Sequence, residues 1–247
     1  MIPRKAVVTA ASPTEYHLPL QTLVDSEGVA KTALAIILDD LFASGIDSAA
    51  VVIYPGTRDI FLRAAGEHAD RLTLIEQVAP RGYGHAVWSA HEFTGDDPFV
   101  LLVGDHLYLS NDEPSCVSQM LKVAEGHEGC ISAVNPTHES QLRYYGAVAA
   151  SRVPVSPSLF EVHDVIEKPT PTLAEQELIV PGLRAGNYLC FFGMHLLTSR
   201  VMEHLGREVT RIEEGQKLGL SPTLAVIAAE KKYLAVELAG QRFNIGE

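Results

Sequence analysis

The stretch that decides the fold runs from Ile75 to Leu109, IEQVAPRGYGHAVWSAHEFTGDDPFVLLVGDHLYL. It combines a glycine loop, RGYGH at 81–85, with a helical segment and the apolar run FVLLV at 99–103, which stops at Gly104 and Asp105. An uninterrupted apolar run bounded by turn residues predicts a central strand covered on both faces. Ligands of open α/β sheets bind beyond the carboxyl ends of such strands. We therefore expect Asp105 to face a site, where its carboxylate can hold Mg²⁺ and, through it, a phosphate.

Outward from this stretch, apolar strands alternate with amphipathic helices. Within the stretch, a helix is predicted at 86–92. Around it, strands are predicted at 5–10, 49–54, 72–76 and 130–134, and helices at 31–44, 57–68 and 115–125. This rhythm predicts an α/β fold with a mostly parallel, Rossmann-like sheet and helices on both faces.

After Asn135 the pattern changes to strands separated by proline-rich loops. Strands are predicted at 147–153, 160–167 and 188–193, helices at 198–206 and 222–230, and a terminal hairpin from 233–238 and 242–245. We expect a single domain, 1–247, with a first half at 1–135 and a second half at 136–247 that adds a small lobe to the same mixed sheet.

Composition and charge exclude several classes of protein. Of the 247 residues, 47% are hydrophobic and 20% are charged, which is typical of a folded globular chain. The net charge of −12 argues against nucleic-acid binding, although it does not exclude a small phosphorylated ligand. No apolar run approaches the roughly 18 residues of a membrane span. Three widely spaced cysteines fit neither a disulfide framework nor a zinc site, so we expect reduced thiols and a cytoplasmic location.

A series of motifs, taken in order, carries a family resemblance. The motifs are KAVVTAA at 5–11, LVD at 23–25, Gln77, GYGHAV at 82–87, VGD at 103–105, YGAV at 145–148, VIEKP at 165–169 and RFNIG at 242–246. The chain resembles the sugar-1-phosphate nucleotidyltransferases, and most closely the UTP–glucose-1-phosphate uridylyltransferases. The resemblance spans nearly the whole sequence, and the order of the motifs is more specific than any single one.

The resemblance implies a GT-A-like fold and a defined reaction. A sugar 1-phosphate such as glucose 1-phosphate attacks the α-phosphate of a nucleoside triphosphate, here expected to be UTP, and pyrophosphate leaves. The first half would bind the nucleotide and the second half the sugar phosphate. Mg²⁺ would be the cofactor, and we expect neither a nucleic-acid nor a membrane partner. Whether the chain forms a homo-oligomer stays open.

The resemblance also assigns roles to individual residues. Those implied for the nucleotide are Ala10, Ala11, Gln77, Gly82 and His85. Those implied for the sugar and its phosphate are Gly146, Glu167, Lys168 and Asn187. Asp105 and Lys168 would be catalytic, and Asp105 and Asn244 would bind the metal. The glycines of the loop at 82–84 would let the backbone approach a planar base closely.

The segment at 11–19, ASPTEYHLP, departs from the family pattern. The family has a Gly-x-Gly-Thr-Arg loop here, which binds triphosphate through backbone N–H groups and an arginine. This segment has no glycine or arginine, Pro13 lacks an N–H, and Glu15 adds a negative charge. At the other end of the chain, neutral Asn244 stands in the place of a metal-binding aspartate.

Two functions therefore stay open. One is an active nucleotidyltransferase in which Arg81, Lys31 or a partner chain supplies the missing charge. The other is a catalytically impaired relative that binds a nucleotide or sugar nucleotide in a regulatory or assembly role. A dinucleotide-binding Rossmann enzyme is excluded, because no G-x-G-x-x-G follows the first strand.

Overall fold

A computed structural model describes residues 2–25, 27–111, 113–154, 156–213, 215–230 and 233–246. The strands are β1 Lys5–Ala10, β2 Thr22–Val24, β3 Ala30–Thr32, β4 Ser48–Ile53, β5 Leu72–Glu76, β6 Phe99–Val103, β7 His106–Ser110, β8 Cys130–His138, β9 Gly146–Arg152, β10 Leu159–Glu167, β11 Asn187–Leu197, β12 Tyr233–Glu237 and β13 Gly240–Asn244. The α-helices are α1 Ala33–Ala43, α2 Arg58–Ala65, α3 Tyr83–Trp88, α4 His91–Thr94, α5 Cys116–Ala124, α6 Pro171–Glu177, α7 Ser199–Val209 and α8 Ser221–Ala229.

The main sheet is mixed. Within the described ranges it has nine strands in the order β5-β4-β1-β6-β11-β8-β12-β10-β9. The first four are parallel to one another, as the alternation of strands and helices predicts. Strand β11 then pairs antiparallel with β6, so the sheet continues from the first half of the chain into the second. The predicted α/β class with a mixed sheet is confirmed.

Helices cover both faces of the sheet. Side chains alternate along β1, so that Val8 joins one buried cluster with Leu38 of α1, while Val7 joins another with Val87 of α3 and Leu224 of α8. All five side chains are fully buried. Burial on both faces explains why the central strands read as continuous apolar runs rather than as alternating ones. Within the described ranges, no helix has the length and apolar character needed to cross a membrane.

The predicted terminal hairpin is wrong. Strand β12 lies inside the main sheet, parallel to β8 and antiparallel to β10, with Tyr233 and Ala235 buried. Strand β13 instead pairs with β7, a strand that the sequence analysis missed. The apolar residues of β12 bury more surface between two strands than an edge hairpin offers, which is the favourable direction for the hydrophobic effect.

Several predicted boundaries shift for local reasons. The helix predicted from residue 31 begins at Ala33, because Lys31 and Thr32 pair with β2 as part of β3. The Thr32 side chain then caps the helix by accepting a hydrogen bond from the N–H of Ala35 at 3.1 Å. The helix predicted at 57–68 ends at Ala65, where Gly66 has a φ of +57°.

Candidate functional site

A first cavity of about 350 Å³ opens where β1 and β6 end. These parallel strands are paired up to Thr9 and Val103, and the N–H of Gly104 donates to Thr9 O at 2.9 Å. Their carboxyl ends therefore bring the segment after β1 next to Asp105, as expected for an open α/β sheet. The lining includes Ala10, Ala11, Gln77, Gly82 and Asp105. Four of the five residues predicted for the nucleotide thus share one cavity.

His85, the fifth of these residues, contacts the cavity lining through Gln77. The buried Gln77 side chain donates from Nε2 to His85 Nδ1 at 2.8 Å. This hydrogen bond requires an unprotonated Nδ1. Partial burial, and then the charge of Arg81, lower the pKa of His85, which favours the same neutral form.

The glycines of the loop pack against the chain itself. Gly82 has a φ of +101°, and a Cβ at this position would lie 2.5 Å from Leu218 O. A Cβ on Gly84 would lie 2.6 Å from Gly219 O. Two hydrogen bonds join the segments, from Gly84 N to Leu218 O at 2.9 Å and from Leu218 N to Arg81 O at 2.7 Å. We call this contact between 81–84 and 218–219 the glycine clamp. The clamp is a structural reason for glycine at both positions, in addition to the predicted close approach of the backbone to a base.

A second cavity of about 530 Å³ adjoins the first. Its lining includes Gly146, Glu167, Lys168, Arg242 and Asn244, together with residues of the first cavity. The residues that line both are Glu15, Tyr83, Val103 and Asp105. Asp105 therefore lies where the two cavities meet.

Glu167 is held in the second cavity by two neighbours. Ser221, which is buried at the start of α8, donates its hydroxyl to Glu167 Oε2 at 2.6 Å. Gly146 leaves room for the carboxylate, because a Cβ there would lie 2.9 Å from Glu167 Oε2 and 2.8 Å from the Phe191 ring. Ser221 was missed by the sequence analysis, because nothing in the sequence reveals a contact between residues 54 positions apart.

Lys168 has an unusual backbone. Its φ is +46°, and no other described residue except glycine has a positive φ. Its N–H donates to Tyr145 O at 3.1 Å. Non-glycine residues in this region are strained, and such strain is concentrated at functional sites. Lys168 and Glu167 are both exposed, so a ligand in the second cavity can reach them.

The two residues predicted to bind the metal, Asp105 and Asn244, both line the second cavity. The pairing of β13 with β7 sets Asn244 opposite His106, and the N–H of Ile245 donates to Asp105 O at 2.9 Å. Asp105 Oδ1 binds His106 Nδ1 at 2.6 Å, which leaves Oδ2 for a ligand. Carboxylate and amide oxygens are donors that a hard divalent cation accepts. The exposed Glu15 faces the same two cavities as Asp105 and could add a second carboxylate. Asn244 Oδ1 already accepts the N–H of Gly246 at 2.8 Å, so Asp105 Oδ2 is the principal oxygen that fits a divalent metal here.

Arg242 is a second residue that the sequence analysis did not assign to the site. Its guanidinium lies 3.8 Å from the centroid of the Tyr145 ring and donates to Phe191 O. It therefore places a positive charge in the second cavity, which Lys168 also lines. The signal was present in the sequence, because residues 242 and 244 of one strand point to the same side.

Asn187 stands apart from the other predicted residues. It begins β11 opposite His138, and its amide donates to Ala185 O at 3.4 Å. It is not among the residues that line either cavity. The predicted contact between Asn187 and the sugar stays a prediction, and the position of Asn187 outside both cavities does not favour it.

The segment at 11–19 offers few donors to a phosphate. The N–H groups of Glu15 and Tyr16 both donate to Ser12 O, at 3.2 and 2.9 Å. Pro13 has no N–H to offer. The Ser12 hydroxyl is also engaged, because it donates to Glu15 Oε2 at 3.1 Å. Two of its N–H groups and the Ser12 hydroxyl are therefore engaged within the turn itself.

The two cations suggested as substitutes are engaged elsewhere. Arg81 Nη2 donates to Ile212 O at 3.0 Å. Lys31 Nζ forms ion pairs with Asp25 at 3.2 Å and Asp39 at 2.8 Å. Neither side chain lines the first or the second cavity. The expectation that Arg81 or Lys31 supplies the missing charge is therefore not supported.

Two named relatives are similar along almost all of this chain. One is the UTP–glucose-1-phosphate uridylyltransferase of Streptococcus pneumoniae serotype 4, which is 26% identical over 99% of this chain and 86% of the relative. The other is the UTP–glucose-1-phosphate uridylyltransferase YngB of Bacillus subtilis strain 168, which is 27% identical over 99% of this chain and 85% of the relative.

Solved structures share the fold. A UDP-glucose pyrophosphorylase complexed with UDP-glucose matches 100% of this chain and 94% of its own, with a TM-score of 0.79 and 20% identity. A UTP-bound UGPase from Acinetobacter baumannii matches 100% of this chain and 90% of its own, with a TM-score of 0.73 and 20% identity.

A family model described as Nucleotidyl transferase matches residues 26–242. The match begins after the segment at 11–19, where the sequence departs from the family pattern. It includes the glycine loop, Asp105 and the Glu167-Lys168 pair. The family resemblance inferred from the motifs is thereby confirmed, and the chain belongs to the nucleotidyl transferase family.

Proposed function

We propose that this protein is a UTP–glucose-1-phosphate uridylyltransferase, which transfers the uridylyl group of UTP to glucose 1-phosphate and releases pyrophosphate. The observation that carries the proposal is that two adjoining cavities meet at Asp105. One is lined by the motif residues expected to bind a nucleotide, and the other by those expected to bind a sugar phosphate. The names of the similar relatives supply the choice of uracil and glucose.

In the proposed complex, the first cavity binds the nucleotide. Gln77, Gly82 and His85 contact the uracil and ribose, and Ala10 and Ala11 lie against the nucleotide at the end of β1. Because the Gln77–His85 hydrogen bond fixes the imidazole as a neutral acceptor at Nδ1, its orientation is set before the base arrives.

The second cavity binds the sugar phosphate. Glu167, oriented by Ser221, accepts hydrogen bonds from sugar hydroxyls beside Gly146. Lys168 binds the phosphate and directs its oxygen toward the α-phosphate of UTP. Catalysis of this kind depends on positioning the two reactants and on neutralising charge in the transition state.

Asp105 and Asn244 would hold Mg²⁺, whose charge, when it is bound, stabilises the negative charge that develops on the phosphate oxygens. Asn244 is a weaker ligand than an aspartate, so Asp105 carries the principal metal contact. The division into a nucleotide half, 1–135, and a sugar-phosphate half, 136–247, stays part of this proposal. A cytoplasmic location stays a prediction, and whether the chain forms a homo-oligomer stays open.

The proposal is tested by incubating the purified protein with UTP, glucose 1-phosphate and Mg²⁺ and following the products by ³¹P NMR. TTP and galactose 1-phosphate are assayed in parallel to determine the base and the sugar. We expect UDP-glucose and pyrophosphate in equal amounts. Lys168→Ala should lower the rate about 10²-fold or more, a typical loss when one charge-stabilising donor is removed.

Lys122→Ala provides the control, because Lys122 is exposed on α5 and lines neither cavity. No turnover with any of these substrates would contradict the proposal. If UDP-glucose still raised the melting temperature, that result would support the alternative of a relative that binds the sugar nucleotide without transferring it.

A further inference from the structure

The first cavity has an unbalanced charge. Among the described residues that line it, the charged side chains are Glu15, Asp105 and Lys217. A single lysine therefore stands with two carboxylates in a cavity whose proposed occupant carries several negative charges. A metal ion on Asp105 offsets part of this imbalance, but a nucleotide with more than one phosphate gains from a further cation.

No other cation is available in this cavity from the described part of the chain. The segment at 11–19 has no lysine or arginine, Arg81 binds the Ile212 carbonyl, and Lys31 forms ion pairs with Asp25 and Asp39. Lys168 and Arg242 line the second cavity and not the first.

Lys217 has the properties that such a cation needs. It is exposed, and it has no ion pair or hydrogen-bond partner within the described ranges. Its backbone is nevertheless anchored, because the next residue, Leu218, is bound on both sides by the glycine clamp. A lysine ammonium is a compact charge with three rotatable donors on a flexible stem, which suits a phosphate group.

We propose that Lys217 binds the phosphate groups of the nucleotide in the first cavity, in place of the cation that the segment at 11–19 lacks. The identity of the nucleotide rests on the proposed function, whereas the contact with its phosphates does not depend on turnover. The glycine clamp thereby has a second consequence, since it fixes the position from which the lysine reaches the cavity.

The test is calorimetric titration of UTP and of uridine, both with Mg²⁺, into the wild type and the Lys217→Ala, Lys217→Arg and Lys122→Ala variants. We expect Lys217→Ala to weaken UTP binding about tenfold or more, the usual effect of losing a hydrogen bond to a charged group. Uridine binding should not change, because uridine has no phosphate. Lys217→Arg should retain most of the affinity for UTP, and Lys122→Ala all of it.

Several results would overturn the inference. They are wild-type affinity for UTP in Lys217→Ala, an equal loss of affinity for uridine, and no measurable UTP binding by the wild type. Failure of the inference and of the proposed function can be distinguished. Lys217-dependent UTP binding without transfer to a sugar phosphate rejects only the proposed function. Wild-type turnover with an unchanged KM for UTP in Lys217→Ala rejects only the inference.

Discussion

Lys168 shows how a single residue marks the site. A left-handed backbone at a non-glycine residue costs about 1–3 kcal/mol. A following proline, here Pro169, further disfavours helical backbone angles at the residue before it. The hydrogen bond from Lys168 N to Tyr145 O helps to hold this conformation. The strained backbone thus occurs at the residue that is proposed to bind the sugar phosphate.

Ser221 is predicted to position Glu167 rather than to bind substrate. In Ser221→Ala, the carboxylate loses a donor at 2.6 Å, so its orientation toward the sugar is no longer fixed. We expect the KM for glucose 1-phosphate to rise about tenfold, as is usual for a hydrogen bond to a charged group, while the KM for UTP stays unchanged. Steady-state kinetics measure both constants. Recovery in Ser221→Thr is expected, and an equal rise in both KM values would reject the positioning role.

Because His195 is buried, the stability of the protein is expected to depend on pH. Burial lowers the pKa of His195 to about 4, and Nδ1 contacts the buried Ser132 hydroxyl at 2.5 Å. Between the ordinary pKa of about 6.5 and this value, the unfolded chain binds a proton that the folded chain does not. Stability should therefore fall as the pH drops through this window, by on the order of 3 kcal/mol from this group.

The measurement is denaturant unfolding of the wild type and His195→Asn at pH 7 and pH 4.5. The variant should lose less unfolding free energy than the wild type over this interval, whatever its stability at pH 7. Equal losses in the two proteins would show that His195 does not cause the effect.

At the scale of elements, the glycine clamp joins the first residues of α3 and the loop before them to the segment before α8. Lys217 and Ser221 flank the 218–219 part of the clamp. The former lines the first cavity, and the latter binds Glu167 in the second. One short segment therefore connects the two parts of the proposed site.

Gly84→Ala is predicted to destabilise the protein. Alanine normally favours a helix over glycine by about 1 kcal/mol, but here the added Cβ would lie 2.6 Å from a backbone oxygen that cannot move aside easily. We expect a net loss of about 1–3 kcal/mol, typical of overpacking, in denaturant unfolding. Gly126→Ala is the matched control, because no atom lies within 4 Å of its added Cβ. Equal effects of the two changes would contradict the clamp.

Elements with a clear local signal were predicted closely from the sequence. Strands β5 and β6 have the predicted bounds, 72–76 and 99–103. For β6 the reason is clear, because FVLLV is an apolar run between Pro98 and Gly104. Which strands pair with each other was not predictable from such local signals. β12 and β13 are close in sequence, yet each gains more contact from a distant partner. The places of Ser221 and Lys217 in the site likewise depend on contacts between distant parts of the chain, which no local pattern encodes. Arg242 differs, because its spacing of two from Asn244 on one strand was a local signal.

At the scale of the whole molecule, the sheet order explains why the two cavities adjoin. Strands β1 and β6 deliver Asp105 from the parallel part of the sheet, and β11 continues the sheet beside β6 toward the strands of the second half. β9 and β10 then bring Gly146 and Glu167 together at paired positions. A nucleotide and a sugar phosphate bound in these cavities would face each other across Asp105.

Direct transfer between the two cavities is the central claim, and a single-turnover experiment tests it most directly. Enzyme in excess is mixed with UTP labelled at the α-phosphate and with unlabelled glucose 1-phosphate and Mg²⁺, then quenched and separated. We predict that the label passes from UTP to UDP-glucose in the wild type and much more slowly in Lys168→Ala. Label that stays in UTP, or that appears in UMP or UDP without UDP-glucose, would contradict the account.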